Sequence, residues 1–250
     1  MADVSMPLTA HLEELRWRLI RALIAISIGF AGCYYFAEGL FAFLTEPLLA
    51  LNRETGGDAV HLIGTGVVEA FFTKLKVCFL AAVFVSSPVS LYQLWLFIAP
   101  GLLDQEKRYA KPFVFFGTIF FLCGAAFCYY FVLPVGYRFF VEQYGSIRVD
   151  PQIRISEYLT FTSRMLLAFG VTFELPVVTF FLARLGFVTS AMMIHYLRYA
   201  VLVIFIVAAV LTPGPDVASQ LLMATPLLFL YGISIGVAHV FAKPRATPPS

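Results

Sequence analysis

Six long apolar stretches decide what this chain can fold into. They cover residues 19–41, 71–98, 112–137, 158–185, 198–211 and 219–241, with most of the charges between them. A helix rises 1.5 Å per residue, so about 20 apolar residues cross a hydrocarbon layer about 30 Å thick. Water is a poor solvent for such a surface. Of the 250 residues only 13% are charged, about half the share of an ordinary soluble domain. The pattern predicts an all-α membrane protein with six transmembrane helices in one domain, residues 1–242, and a flexible cytosolic tail over 243–250.

Prolines modify this plan. Pro88 inside the second stretch predicts a kink, and Pro134 sits close to the end of the third. Pro176 and Pro226 interrupt the fourth and sixth. The fifth stretch stops at Thr212-Pro213-Gly214-Pro215. Helices five and six therefore read as a short hairpin through a thinned bilayer, with a buried or re-entrant fifth segment as the alternative.

Six spans place both termini on one side. With the N-terminus inside, ten of the seventeen Lys and Arg fall on short cytosolic segments, among them Arg16, Arg18, Arg21, Lys107, Arg108 and Lys111. The positive-inside rule then favours cytosolic termini. Trp17 and Trp95 read as aromatic anchors at that interface. The outer loops, 42–70 and 138–157, are long and polar, and short amphipathic pieces are expected to cap the outer face.

Several function classes are excluded. Cys33, Cys78, Cys123 and Cys128 all lie in apolar stretches and form no CxxC pair. The four histidines are scattered, so no metal site and no cofactor is expected. The chain contains no nucleophile motif or phosphate loop, which argues against an enzyme. A membrane aspartyl protease would need Glu174 and Asp216 apposed in the bilayer, and Asp216 reads as a loop residue. No basic stripe interleaved with aromatics points to nucleic acid. The N-terminus lacks the shape of a signal peptide, so the first stretch is expected to remain as a helix.

Glu174 is the most informative single position. A carboxyl at mid-depth raises the free energy of insertion by at least about 2.5 kcal/mol. It must be neutralised, paired or facing a wet cavity. Pro176 lies two residues on and deprives the Thr172 carbonyl of its helical donor. Together they mark one polar spot, either a groove for a partner or a site in a proton-coupled small-solute transporter. Glutamic acid that only packs helices is the bland alternative. On the cytosolic side, His11-Leu12-Glu13-Glu14-Leu15-Arg16 and the loop 97–108 each read as a charged helix start, and both lie on one face.

The whole set resembles a known family. The N-terminal segment 11–16, Glu46-Pro47-Leu48, and Glu69-Ala70-Phe71-Phe72 with Lys76 are characteristic. So are Trp95-Leu96-Phe97-Ile98-Ala99-Pro100-Gly101-Leu102 with Glu106-Lys107-Arg108, Phe173-Glu174-Leu175-Pro176, and Leu211-Thr212-Pro213 with Asp216 and Ser219-Gln220. In this order they resemble the TatC family, the multispanning receptor subunits of the twin-arginine protein translocase. The turn Pro213-Gly214-Pro215-Asp216 departs from the family's usual Pro-Pro-Asp.

The resemblance implies a concave, glove-like bundle in the bacterial cytoplasmic (inner) membrane. It implies binding of twin-arginine signal peptides on folded precursors. It further implies work with TatA-like and TatB-like single-span subunits, driven by the proton-motive force. Further copies of the same chain and membrane lipids complete the implied partners. Glu14 and Glu106 match the carboxylates that receive the arginine pair, with Arg16, Phe97 and Leu102 in the same patch. Glu174 and Pro176 match the intramembrane groove. Pro47, Lys76, Asp216 and Gln220 match outer-face and hairpin positions that contact partners or support the structure.

Overall fold

The computed structural model describes residues 8–54, 61–98, 110–146, 151–211 and 217–242. The chain is an all-helical membrane protein. Helix α1, Leu8–Tyr35, turns at Phe36 into α2, Ala37–Glu54. Helices α3, Glu69–Val85, and α4, Ser87–Ile98, follow. Next come α5, Ala110–Phe127, and α6, Leu133–Ser146, joined without a break by a π-turn over Cys128–Val132. Then come the long α7, Ile155–Arg184, the short α8, Ser190–His195, α9, Leu197–Leu211, and α10, Val217–Phe241. Four of these segments are long and apolar enough to cross a bilayer alone, and the bent pair α3–α4 makes a fifth. Helix α9 is the sixth apolar segment, with 15 residues.

Four boundaries differ from the sequence expectation. Helix α1 begins eleven residues before position 19, so the segment 11–16 lies within a helix rather than ahead of one. Hydropathy marks where the bilayer is, whereas the helix continues through polar turns outside it. The third span continues through Pro134 to Ser146, where a loop was expected from 138. A proline normally clashes with the carbonyl four residues back. Here the backbone widens into the π-turn first, and the Leu133 amide bonds the Cys128 carbonyl, five residues back. The second span is two helices bent by 58°. The sixth helix, expected to be short, has 25 residues.

The core is built around α7, which packs against α5, α10 and α3. Phe169, Leu159, Met165 and Thr162 of α7 are fully buried, with Leu133, Met223 and Leu227 from neighbouring helices. Glycines set how closely α5 and α7 approach. A β-carbon on Gly124 would lie 2.6 Å from the Phe169 carbonyl oxygen, and one on Gly170 would lie 2.8 Å from the Phe121 ring. Small residues at crossings are the usual way for membrane helices to pack, because lipid offers no hydrophobic drive between them. Two residues past the end of α7, Gly186 has a φ of +80°, which suits glycine after a helix end.

A second, smaller cluster corrects the reading of Trp95. It is buried rather than interfacial, with its ring 4.8 Å from Phe113 and 5.6 Å from Phe181. Trp17 is exposed, as an anchor would be.

Two three-residue strands lay outside the helical expectation. β1, His61–Ile63, and β2, Gln152–Arg154, pair in parallel with Leu62 opposite Ile153. They join the segments 42–70 and 138–157, and Leu62 and Ile153 pack against the main core. Strands this short leave almost no periodic signal in sequence.

Candidate functional site

The polar features fall into three places: one end of the bundle, its middle and its other end. At the first end, α1 packs along α4. The His11 ring stacks on Phe97, with centroids 4.5 Å apart and planes 21° from parallel. Glu14 lies three residues beyond His11, which puts it on the same face of α1 one turn further on. Its Oε1 accepts a hydrogen bond from Arg18 Nη2 at 2.9 Å, and both side chains are about one-fifth exposed, 21% and 20%. Arg18 Nε is buried without a hydrogen-bond partner among the described residues. Arg16 is exposed. Glu106 and Leu102 lie outside the described residues, as does Asp216 and the tail 243–250.

In the middle, Glu174 sits ten residues before the end of α7. Both carboxyl oxygens are buried and unpartnered among the described residues. They face Gly117 of α5, where an added β-carbon would lie 3.2 Å from Oε2. The glycine makes room for the carboxyl. Pro176 is buried in the adjoining wall with Phe116, Phe120 and Phe180, and Thr172 turns its hydroxyl to the Ala168 carbonyl at 2.7 Å.

At the far end, three side chains of α3 join it to neighbouring segments. Glu69 accepts hydrogen bonds from the amides of Thr65 at 2.6 Å and Gly66 at 3.0 Å, and from the Ser156 amide at 3.2 Å. Lys76 donates to the Thr160 hydroxyl at 2.8 Å, tying α3 to α7. Lys74 pairs with Glu38 at 3.3 Å, tying α3 to α2.

Pro47 lies inside α2 and offers no amide to the Phe43 carbonyl four residues back. The Tyr129 hydroxyl donates to that carbonyl instead, at 2.6 Å, and the Tyr158 hydroxyl donates to the Leu44 carbonyl at 2.7 Å. Gln220 of α10 donates to the Phe205 carbonyl of α9 at 2.9 Å, closing the hairpin of the last two long helices.

The structure thus brings Phe97 beside the segment holding Glu14 and Arg16, and leaves Pro47, Lys76 and Gln220 at separate structural joints. Sequence reasoning missed Arg18, Gly117, Tyr129 and Tyr158. The Glu-to-Arg spacing of four was a readable signal for Arg18. The tyrosines had none, because their partners are 86 and 114 residues away.

These features define a multi-pass helical membrane protein with a polar spot within the bilayer and a charged, aromatic patch at one end. Comparison with known proteins narrows the class. The family described as Sec-independent protein translocase protein (TatC) matches residues 10–226. The TatC protein of Desulforapulum autotrophicum is 45% identical over 239 residues, covering 96% of this chain and 86% of that protein. The TatC protein of Helicobacter pylori strain J99 is 45% identical over 233 residues, covering 93% and 89%. A crystal structure of the twin arginine translocase receptor TatC superposes with a TM-score of 0.80 at 35% identity, covering 91% of this chain and 97% of that one. The same receptor crystallised in DDM gives 0.81 at 35% identity. The chain belongs to the TatC family, and it is a component of a protein translocase.

Proposed function

We propose that this chain is the signal-peptide receptor of its translocase, and that Glu14 and Glu106 accept the two arginines of a twin-arginine signal peptide. The observation that carries the proposal is the His11–Phe97 stack, which ties the Glu14 segment to the end of α4, the last described helix before Glu106 in the sequence. Glu106 follows Ile98 by eight residues, so even a fully extended chain keeps it within about 28 Å of the end of α4. Arg16, Phe97 and Leu102 complete the patch. Desolvation of the bound peptide against Phe97 and Leu102 would strengthen each pair.

The chemistry favours arginine over lysine. A guanidinium is a planar fork that a carboxylate accepts bidentately, whereas an ammonium is a point charge. Specificity therefore comes from geometry more than from total charge.

Glu174 and Pro176 form the intramembrane groove in which a single-span TatA-like or TatB-like helix, or the inserted peptide, packs. Pro47, Lys76, Gln220 and Asp216 act as structural supports or partner contacts at the outer face. The complex holds several copies of this chain, works on folded precursors, and draws on the proton-motive force. Both termini face the cytoplasm, and the protein resides in the bacterial inner membrane.

A photoreactive residue in place of Phe97 tests the patch. It should capture a twin-arginine precursor and lose that product when the pair is changed to Lys-Lys. Equal capture of both precursors would sink the assignment.

A further inference from the structure

The same patch already holds an arginine of its own. Arg18 places Nη2 2.9 Å from Glu14 Oε1, and the two side chains are equally shielded, at 20% and 21% exposure. The contact uses one nitrogen of the fork, and the neighbouring Nε is buried with no partner among the described residues. Among the described residues this guanidinium is held by one bond and its Nε–H is unpaired, unlike the bidentate pairs that arginine forms with carboxylates. Arg21, one turn further along α1, is exposed.

Resting on the reading of Glu14 as an arginine acceptor, we propose that Arg18 is a built-in occupant of that acceptor, which an incoming peptide arginine displaces. Glu14 is never presented as a bare carboxylate. Arg18 keeps it compensated and oriented while the site is vacant of peptide. A peptide arginine gains Glu14 only by exchanging with Arg18, which then turns its fork toward solvent. No covalent step or net proton transfer is involved. Displacement subtracts the same amount from every cationic ligand. It therefore lowers affinity overall and leaves the preference for arginine over lysine unchanged.

The test is a binding titration on the full chain in nanodiscs. The probes are a fluorescent peptide with an Arg-Arg pair ahead of an apolar stretch, and its Lys-Lys counterpart. Arg18→Gln should tighten both by the same factor, about fivefold, the upper end for a partly exposed ion pair. Arg18→Lys keeps the charge and stem without the fork and should fall between. Arg21→Gln removes the same charge without touching Glu14, and should give a clearly smaller gain. In a Glu14→Gln background, Arg18→Gln should have no further effect, because the pair no longer exists.

Weaker or unchanged binding in both Arg18 variants, with Glu14→Gln still weakening it, would overturn the displacement role and leave the acceptor reading standing. An equal gain from Arg21→Gln would reduce the effect to general charge and overturn it too. Undiminished binding in Glu14→Gln would remove the acceptor reading itself.

Discussion

Glu174 and the glycine it faces show how a single residue can work against stability. Two buried carboxyl oxygens, unpartnered among the described residues, lie against Gly117 in the middle of a hydrocarbon-spanning bundle. An unsatisfied buried polar group destabilises by about 1–3 kcal/mol. Glu174→Leu is therefore expected to raise the thermal midpoint of the purified protein while export of a twin-arginine precursor falls. A fall in both would mean that the carboxyl is structural. Gly124 makes the opposite case. Its missing β-carbon lets α5 meet the Phe169 backbone, so Gly124→Ala should lower stability by about 1–3 kcal/mol, read by unfolding in detergent. Glu174 was legible in the sequence because a charge interrupts an apolar stretch. Gly117 and Gly124 were not, because glycine is ordinary in membrane helices and only the partner helix reveals the contact.

At the scale of the element, three prolines are accommodated in three ways. Pro134 is met by a π-turn in its own helix. Pro88 leaves the Phe84 carbonyl without a helical donor, and the Ser87 hydroxyl supplies one at 2.8 Å. Pro47 relies on a different helix, through Tyr129. Tyr129→Phe keeps the ring stacked on Phe43, now 4.3 Å apart, and deletes only the hydroxyl. It should destabilise by about 1–3 kcal/mol. Pro47→Ala returns an amide to the Phe43 carbonyl, so the tyrosine change should do much less harm in that background. Additive losses in the double-mutant cycle would show that the hydroxyl is not replacing the missing amide. The sequence announced each proline and the kink at Pro88. It could not announce the rescue at Pro47, which depends on a side chain from another span, and it placed the end of the third span too early because nothing in the residues announces the π-turn that carries the helix past Pro134.

The whole molecule is uneven across the bilayer. Helix α7 has 30 residues, about 45 Å long, whereas α9 has 15, about 22 Å. A hydrocarbon layer of about 30 Å must thin beside α9 or leave that helix short of spanning it. The protein should unfold at a higher temperature in shorter-chain lipids than in long-chain ones, and no dependence on chain length would count against local thinning. The apolar stretches made this architecture readable from the start, and the motifs between them pointed to the family. What joined those motifs was not readable: the His11–Phe97 stack, the β1–β2 pairing and the Lys76–Thr160 bond each link distant parts of the chain. The central claim is that the Glu14 and Glu106 carboxylates receive the arginine pair. Its most direct test is the affinity of the full chain for a twin-arginine peptide, measured for the unaltered protein, Glu14→Gln and Glu106→Gln. A hydrogen-bonded contact to a charged group contributes about 1.5–3 kcal/mol, so each variant should bind roughly tenfold to a hundredfold more weakly. Unaltered affinity in both variants would contradict the account.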